Sequence, residues 1–590
     1  MAVDQSPMNK LITEHIDIWT SAVKTRSTSG RGSSKKLELY GVKKLRELIL
    51  ELAVRGKLVP QDPNDEPASV LLERIAAEKA QLVKEKKIKK PKALPPINDS
   101  KPFQIPNNWG WSQLGFLTNY GVCDKLEPKD ASPSTWVLEL EDVEKYTSRL
   151  LKKVRFEERV FKSTKNSFQK NDVIYGKLRP YLDKVLVADE DGACTTEMIP
   201  IRGYIGLIPE FIRLVLKTPY FIEYANTSTH GMNLPRMGTD KARAALFPLA
   251  PLNEQHRIVA KVDELMVLCD QLEQQTEASI EAHQVLVTTL LDTLTNSADA
   301  DELMQNWARI SEHFDTLFTT EESIDQLKQT ILQLAVMGKL VPQDPSDEPA
   351  AELLKRIAEE KAQLVKEKKI KKQKALPLIA EDEKLFELPS GWEWCRLGDL
   401  ELSSEAGWSP KCLDTPRSED SWGVLKVSAV TWNQYNPMEN KELPNSLAPR
   451  EHLEVQDGDF LISRANTADL VAKAVIVPND SPTHLMMSDK IIRFRFSDKV
   501  SSHYINLFNN SQFARNYYSQ VAGGTSSSMK NVSREQIKNL LICLPPVATQ
   551  TAIIDIVGCF FDICEQLKQK VQENQITQFQ LTDAIVEQAV

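Results

Sequence analysis

The residues able to do chemistry in this sequence are basic, aromatic and polar rather than nucleophilic. Asn171–Val187 reads NDVIYGKLRPYLDKVLV and sets Lys177, Arg179 and Lys184 around Tyr175 and Tyr181 at a strand–turn–strand. Cationic side chains contact phosphates, and arginine can also read a base edge through two hydrogen bonds, so this mixture suits a nucleic acid. A second loop, Thr229–Arg243, carries His230, Asn233, Arg236, Lys241 and Arg243. Comparable chemistry recurs late in the chain. Gly458–Ile476 holds Arg464, Asn466, Thr467 and Lys473; Ala522–Gln536 holds Thr525, Ser526, Ser527, Ser528, Lys530 and Asn531. A Gly/Ser/Thr loop offers backbone amides and hydroxyls to phosphate, while arginine, asparagine and lysine reach base edges.

Catalytic signatures are missing by contrast. The sequence has no G-x-x-x-x-G-K-[ST] phosphate loop, no strand-placed G-x-G-x-x-G and no H-E-x-x-H. It has no G-x-S-x-G elbow either. Asn436-Pro437-Met438 is the nearest approach to an amino-methyltransferase motif and lacks its second proline and aromatic. The eight histidines are dispersed, and the eight cysteines form neither a C-x-x-C pair nor a zinc cluster. The reading is a non-catalytic binding protein, with no metal and no cofactor of its own.

The elements that must position these loops are arranged around a duplication. Leu45–Ile97 and Leu327–Ile379 lie about 282 residues apart and align without a gap, with roughly four positions in five identical. In each copy an apolar-periodic helix stops at a glycine, Gly56 or Gly338. A Pro-rich turn and a second helix with a narrow apolar stripe follow. Asp65 is expected to cap that second helix, with Pro67 near its first position. Asn253 is expected to cap a later helix of about 40 residues, about 60 Å long. Thr25–Lys36 reads as a flexible link. Short strands are expected at Thr135–Leu140, Val173–Tyr175, Lys184–Val187 and Glu197–Ile201, with a helical patch at Pro209–Tyr224 and a polar loop at Asn226–Thr239.

The order is therefore helix pair, globule, long helix, repeated once. The boundaries fall at 1–44 (N-terminal helical segment and linker), 45–97 (first helical repeat), 98–250 (first globule) and 251–326 (central long helix). The second half follows as 327–379 (second repeat), 380–545 (second globule) and 546–590 (C-terminal helix). The class is α+β: two mixed α/β globules separated by long antiparallel coiled-coil helices, with internal duplication and pseudo-two-fold symmetry. The helical copies are nearly the same and the globules differ, which points to one shared partner for the helices and two different ligands for the globules.

A formal net charge of −9 argues against a uniformly basic coat. Lys145–Lys184 nevertheless holds about eight more basic than acidic side chains, the expected footprint of a phosphate-binding face. No apolar run approaches the roughly 20 residues of a membrane helix, and no signal core opens the sequence, so a cytoplasmic protein with reduced, buried thiols is expected.

GKLVPQDP at Gly56–Pro63 and Gly338–Pro345, the pair IPNNWGWSQLG and LPSGWEWCRLG, YGKLRPYL, and PLNEQHRIVAKVDELM at Pro251–Met266 together cover both halves of the chain. In this ensemble the chain resembles the specificity subunit of type I restriction-modification enzymes, in the branch with larger specificity subunits. The resemblance implies two target recognition domains that read the halves of a split, asymmetric site in double-stranded DNA. The helices would act as a ruler between them. It also implies two modification subunits docked on the repeats, and restriction subunits in addition; S-adenosylmethionine, ATP and magnesium would belong to those partners. The second half departs from the pattern, with SRAN where the first has GKLR and PPVATQTAII where the first has PLNEQ. Two competing readings are a coiled-coil adaptor whose globules bind proteins and an enzyme outside the known motifs. The basic excess disfavours the first, and the missing motifs disfavour the second.

Overall fold

The duplicated segment folds the same way twice, as two helices joined by a proline-rich turn: Tyr40–Val54 with Ala68–Lys84, and Glu321–Val336 with Ala350–Lys366. The computed structural model describes residues 7–26, 36–98, 101–231, 233–298, 300–418, 421–431, 434–526 and 529–590. Gly56 and Gly338 follow the first helices at φ +67° and +70°, and a β-carbon there would meet Pro106 or Pro389. Only glycine combines that backbone with that close approach. The capping expectation needs correction. Pro67 occupies the N-cap position, and Asp65 is buried and pairs with Arg257 at 2.6 Å. Asn253 likewise lies inside the first turn of its helix rather than capping it. In the Thr25–Lys36 stretch the ends pair as strands, Val23–Arg26 with Lys36–Leu39; the residues between lie outside the described ones.

The chain divides into two compact units, one of residues 7–26, 36–278 and 575–590 and the other of residues 279–574. The long helices Leu252–Thr295 and Val547–Ala589 are each split between them, in opposite order along the chain. In the first unit, Arg46 of the repeat helix reaches Asp270 of the central long helix at 2.7 Å. Tyr40 of the same helix donates to Asp583 of the C-terminal long helix at 2.8 Å. The second unit mirrors this with the helices exchanged. Lys328, which aligns with Arg46, pairs with Glu565 of the C-terminal helix, and Gln326 donates to Thr288 of the central helix at 3.4 Å.

The start of each long helix is tied to its own globule by one glutamine. Gln255 accepts from the Ile208 amide and donates to the Ala250 carbonyl; Gln550 accepts from the Ser501 amide and donates to the Pro545 carbonyl. Around it the two units solve one packing problem differently. Trp109 Nε1 and Gln61 both donate to the buried Glu254, whereas Trp392 Nε1 donates directly to Gln343 and Thr549 stands where Glu254 would be. The departure from PLNEQ is thus a rewired joint with the same packing. An 18-residue window of the C-terminal helix is long and apolar enough to cross a membrane, contrary to the expectation from apolar runs. Its Ile553, Val557 and Cys564 are buried in the second unit's core.

Each globule has a twisted mixed core on which a helix pair lies. In the first, Val173–Gly176 is central, flanked antiparallel by Met198–Ile201 and Val185–Val187. Helices Pro209–Leu216 and Pro219–Thr227 follow, broken where Thr218 caps the second. In the second globule Phe460–Ser463 lies between Ile491–Phe496 and Ala474–Ile476, followed by helices Ser502–Asn510 and Gln512–Val521. All eight cysteines are free thiols; five are buried, Cys123 and Cys412 are half-buried and Cys559 is exposed, which corrects the expectation that all are buried.

Candidate nucleic-acid interface

In the first unit the strand–turn–strand and the 229–237 loop form one surface. The Arg179 amide donates to the Pro235 carbonyl at 2.7 Å, and the Met237 amide donates to the Lys177 carbonyl at 3.0 Å. Thr229–His230 and Arg236–Met237 pair as a short hairpin. Lys177, Arg179, Tyr181, His230, Asn233 and Arg236 are thereby gathered on it. Arg179 is exposed and held at φ +51°, at the start of the Pro180–Leu182 turn. Tyr181, His230 and Asn233 are also exposed. The Lys177 ammonium has no ion pair or hydrogen bond among the described residues. A pocket of about 250 Å³ opens beside Arg179, lined by Leu140, Leu178, Leu182, Lys184 and Leu234.

The remaining basic candidates here are tied down. Lys184 donates to the Leu140 carbonyl at 2.6 Å, and burial pulls its ammonium below the usual lysine range. Arg236 donates through Nε to both carboxylate oxygens of Glu197, at 3.1 and 3.0 Å. Arg243 donates to the Lys92 carbonyl at 3.2 Å. Lys241 is exposed on the neighbouring helix Thr239–Ala244. The basic excess of Lys145–Lys184 is answered in part by acids from outside that window. Lys153 and Arg155 pair with Glu190, Arg159 with Asp142, and Lys165 with Glu139. Part of that stretch is therefore a set of packing ion pairs, while Lys145, Lys162 and Lys170 stay exposed with no ion pair among the described residues, in addition to the rim around Lys177 and Arg179.

The second unit builds its surface on the same backbone frame. Ala465–Asn466 pairs with Met529–Asn531, which pairs in turn with Gly523–Ser526. Arg464, Asn466, Lys530 and Asn531 come together with the backbone of Thr525 and Ser526; Ser527 lies outside the described residues. The Val532 amide donates to the Arg464 carbonyl at 2.9 Å, as Met237 does to Lys177. The Arg464 amide donates to the Lys490 carbonyl at 2.8 Å, as Lys177 does to Glu197 at 3.0 Å. Arg464 thus stands in the place of Lys177, Asn531 in that of Arg236, and Lys490 in that of Glu197. Lys490 is exposed and carries no signal in the sequence that marks it. Its place beside Arg464 emerges only from the register of Ile491–Phe496 on Phe460–Ser463. Lys530 donates to the Gly524 carbonyl at 2.8 Å. Lys473 is half-buried near Arg515, and burial first, then that like charge, lowers it to about 8.

These surfaces offer cations, amides and hydroxyls on a fixed frame. Among the described residues no group of three or more histidine, cysteine or acidic side chains is placed to hold a metal.

No family model matches the chain. It is 47% identical over 601 residues to the type I restriction enzyme EcoEI specificity subunit of Escherichia coli, covering 99% of this chain and 100% of that protein. The chain belongs to the specificity subunits of type I restriction enzymes. The EcoAI specificity subunit of Escherichia coli is 41% identical, again over 99% of this chain and all of the relative. A solved structure from work on complex assembly and conformational transition of the type I R-M system covers 83% of this chain and 99% of its own. Its TM-score is 0.52 and its identity 18%, so it speaks for the fold alone. Specificity subunits of this family recognise DNA sequence and are non-catalytic; catalysis lies in partner subunits, in agreement with the missing motifs.

Proposed function

We propose that this specificity subunit reads a bipartite, asymmetric site in double-stranded DNA and directs adenine methylation or restriction there by its partners. Each globule, 98–250 and 380–545, reads one half-site. The observation that carries this is the shared hydrogen-bond frame with exchanged side chains: Lys177, Glu197 and Arg236 in one unit, Arg464, Lys490 and Asn531 in the other. A common frame sets the docking pose, and different side chains on it select different bases. On this reading Lys177, Arg179, Tyr181, His230 and Asn233, with Arg464, Asn466, Lys530 and Asn531, face the grooves. Lys241, Thr525, Ser526 and Ser527 serve the phosphates, and Lys184 and Arg243 hold the frame.

The long helices pack antiparallel as a coiled coil and set the spacer between half-sites. The duplicated repeat, 45–97 and 327–379, supports reading the two halves as a pseudo-two-fold pair. The near-identical repeats, 45–97 and 327–379, each dock one modification subunit, giving two modification subunits per specificity subunit, with restriction subunits joining in the cytoplasm. S-adenosylmethionine, ATP and magnesium are carried by those partners.

The test is DNA methylation with this chain alone, the modification subunit alone, and both together. Modification by the mixture alone, at one split motif, is the expected result. Methylation by the isolated chain, or an unsplit motif, would contradict the reading.

A further inference from the structure

The helical repeats end in two lysine tracts that the base-reading surfaces leave unexplained. KEKKIKKPK covers 84–92 and KEKKIKKQK covers 366–374, each with six lysines against one glutamate, in a chain whose net charge is −9. Every one of these lysines is exposed. Internal neutralisation is slight. Lys87 pairs with Glu85 and Lys369 with Glu367, both at 2.8 Å, and Lys92 meets Asp240 at 2.8 Å. The rest have no ion pair among the described residues.

The backbone beneath these lysines is fixed. Two residues past each second helix a lysine takes left-handed backbone, Lys86 at φ +56° and Lys368 at φ +59°, and the chain turns onto its globule. There Gln113 donates to the Pro95 carbonyl at 3.0 Å, and Arg396, in the equivalent place, donates to the Pro377 carbonyl at 3.0 Å. Arg243 donates to the Lys92 carbonyl, so the first strap runs directly into the helix bearing Lys241, next to the candidate interface. The second is held to its own globule elsewhere, where Gln373 donates to the Leu402 carbonyl at 3.2 Å. A pinned backbone with free ammonium groups forms a pre-ordered row of positive charge, and ordering in advance lowers the entropic cost of binding.

The globules have diverged while both straps keep the same lysine spacing. Two partners would meet both halves alike, a modification subunit docked on each repeat and the sugar-phosphate backbone of DNA, and a row of exposed ammonium groups with few ion pairs suits the phosphates. We propose that the two straps bind the phosphates of DNA beside each recognised half-site, adding sequence-independent affinity to the base-reading surfaces. This rests on the DNA-recognition reading above.

The test uses the full complex with modification subunits. Lys84, Lys86, Lys89 and Lys90 are changed to glutamine, together with Lys366, Lys368, Lys371 and Lys372, and affinity for target and scrambled DNA is followed against salt. The slope of log K on log salt should become shallower by about 0.9 for each phosphate that is no longer neutralised. Target and scrambled DNA should weaken by the same factor, and arginine at all eight positions should restore the wild-type slope. A wild-type slope in the glutamine variant would overturn the proposal. So would loss of modification-subunit binding with an unchanged slope, which would make the straps a protein-docking surface. If the wild-type complex does not discriminate target from scrambled DNA, the functional reading fails, and the slope on scrambled DNA still decides the straps.

Discussion

Replacing Asp183 with alanine should loosen the first unit's candidate interface from beneath. Asp183 sits at φ +49° where the 173–187 hairpin returns, and its carboxylate accepts from Lys217 at 2.5 Å. Lys217, at the end of helix Pro209–Leu216, also donates to Ser148 Oγ at 2.8 Å and to the Tyr146 carbonyl at 3.0 Å. The two side chains are only 10% and 12% exposed. Burial pulls Asp183 up, to about 6, and Lys217 down, so desolvation weighs heavily on both. Removing the carboxylate leaves an ammonium ion buried among neutral acceptors. Breaking a buried pair from one side costs about 3–5 kcal/mol.

The second unit supplies the control. Ala472 occupies the Asp183 position at φ +59°, and Asn510 stands where Lys217 would be, directly before the cap of the next helix. The double change D183A/K217N should therefore recover most of the stability. Hydrogen exchange of the 173–187 amides reads it locally. A drop of about 3–5 kcal/mol lowers protection roughly 100- to several-thousand-fold in D183A, with the double variant far closer to wild type. Protection in D183A within about threefold of wild type would refute the reasoning. So would a double variant as damaged as the single one.

Gly56→Ala should cost at least about 1–2 kcal/mol, because alanine must adopt the left-handed region while its β-carbon is driven into Pro106; Gly338→Ala should behave alike against Pro389, both read as a lower urea midpoint. Burial lowers Lys473 to about 8, and Lys79, which donates to the Phe116 carbonyl, likewise to about 8. A lysine whose folded value lies below its unfolded one holds fewer protons in the native state, so stability should rise as pH goes from about 8 toward 10.5 and fall again as pH is lowered through 8. Urea midpoints at pH 8 and 9.5 check this, and Lys473→Met should flatten the second unit's share of the trend.

What the sequence made legible was what is local or duplicated. Gly56 could be read as a helix stop because a left-handed residue after a helix is set by its immediate neighbours. The strand at Val173–Gly176 and the hairpin around Lys177 follow from short-range alternation. Asp65 looked like a cap for the same local reason, and is instead buried against Arg257, nearly two hundred residues away in the chain. The basic stretch Lys145–Lys184 was legible only in part. Its charge balance was local, whereas the carboxylates of Glu139 and Glu190 that answer it arrive through sheet packing. Lys490 stayed hidden because nothing in its own neighbourhood marks it. Only the pairing register places it beside Arg464. The division of each long helix between two units was equally hidden, since apolar periodicity shows that a helix has a buried face and not which partner covers it.

The most direct test of two frames reading two half-sites is an exchange of side chains on one frame. Lys177→Arg, Glu197→Lys and Arg236→Asn would give the first unit the second unit's side chains at the three equivalent positions, and methylated motifs would then be mapped for the complex with modification subunits. The account predicts that base preference changes or relaxes in one half of the motif while the other half and the spacer stay fixed, and that the matching exchange at Arg464, Lys490 and Asn531 affects the opposite half. Both halves changing together, or a motif identical to wild type in both exchanges, would contradict it.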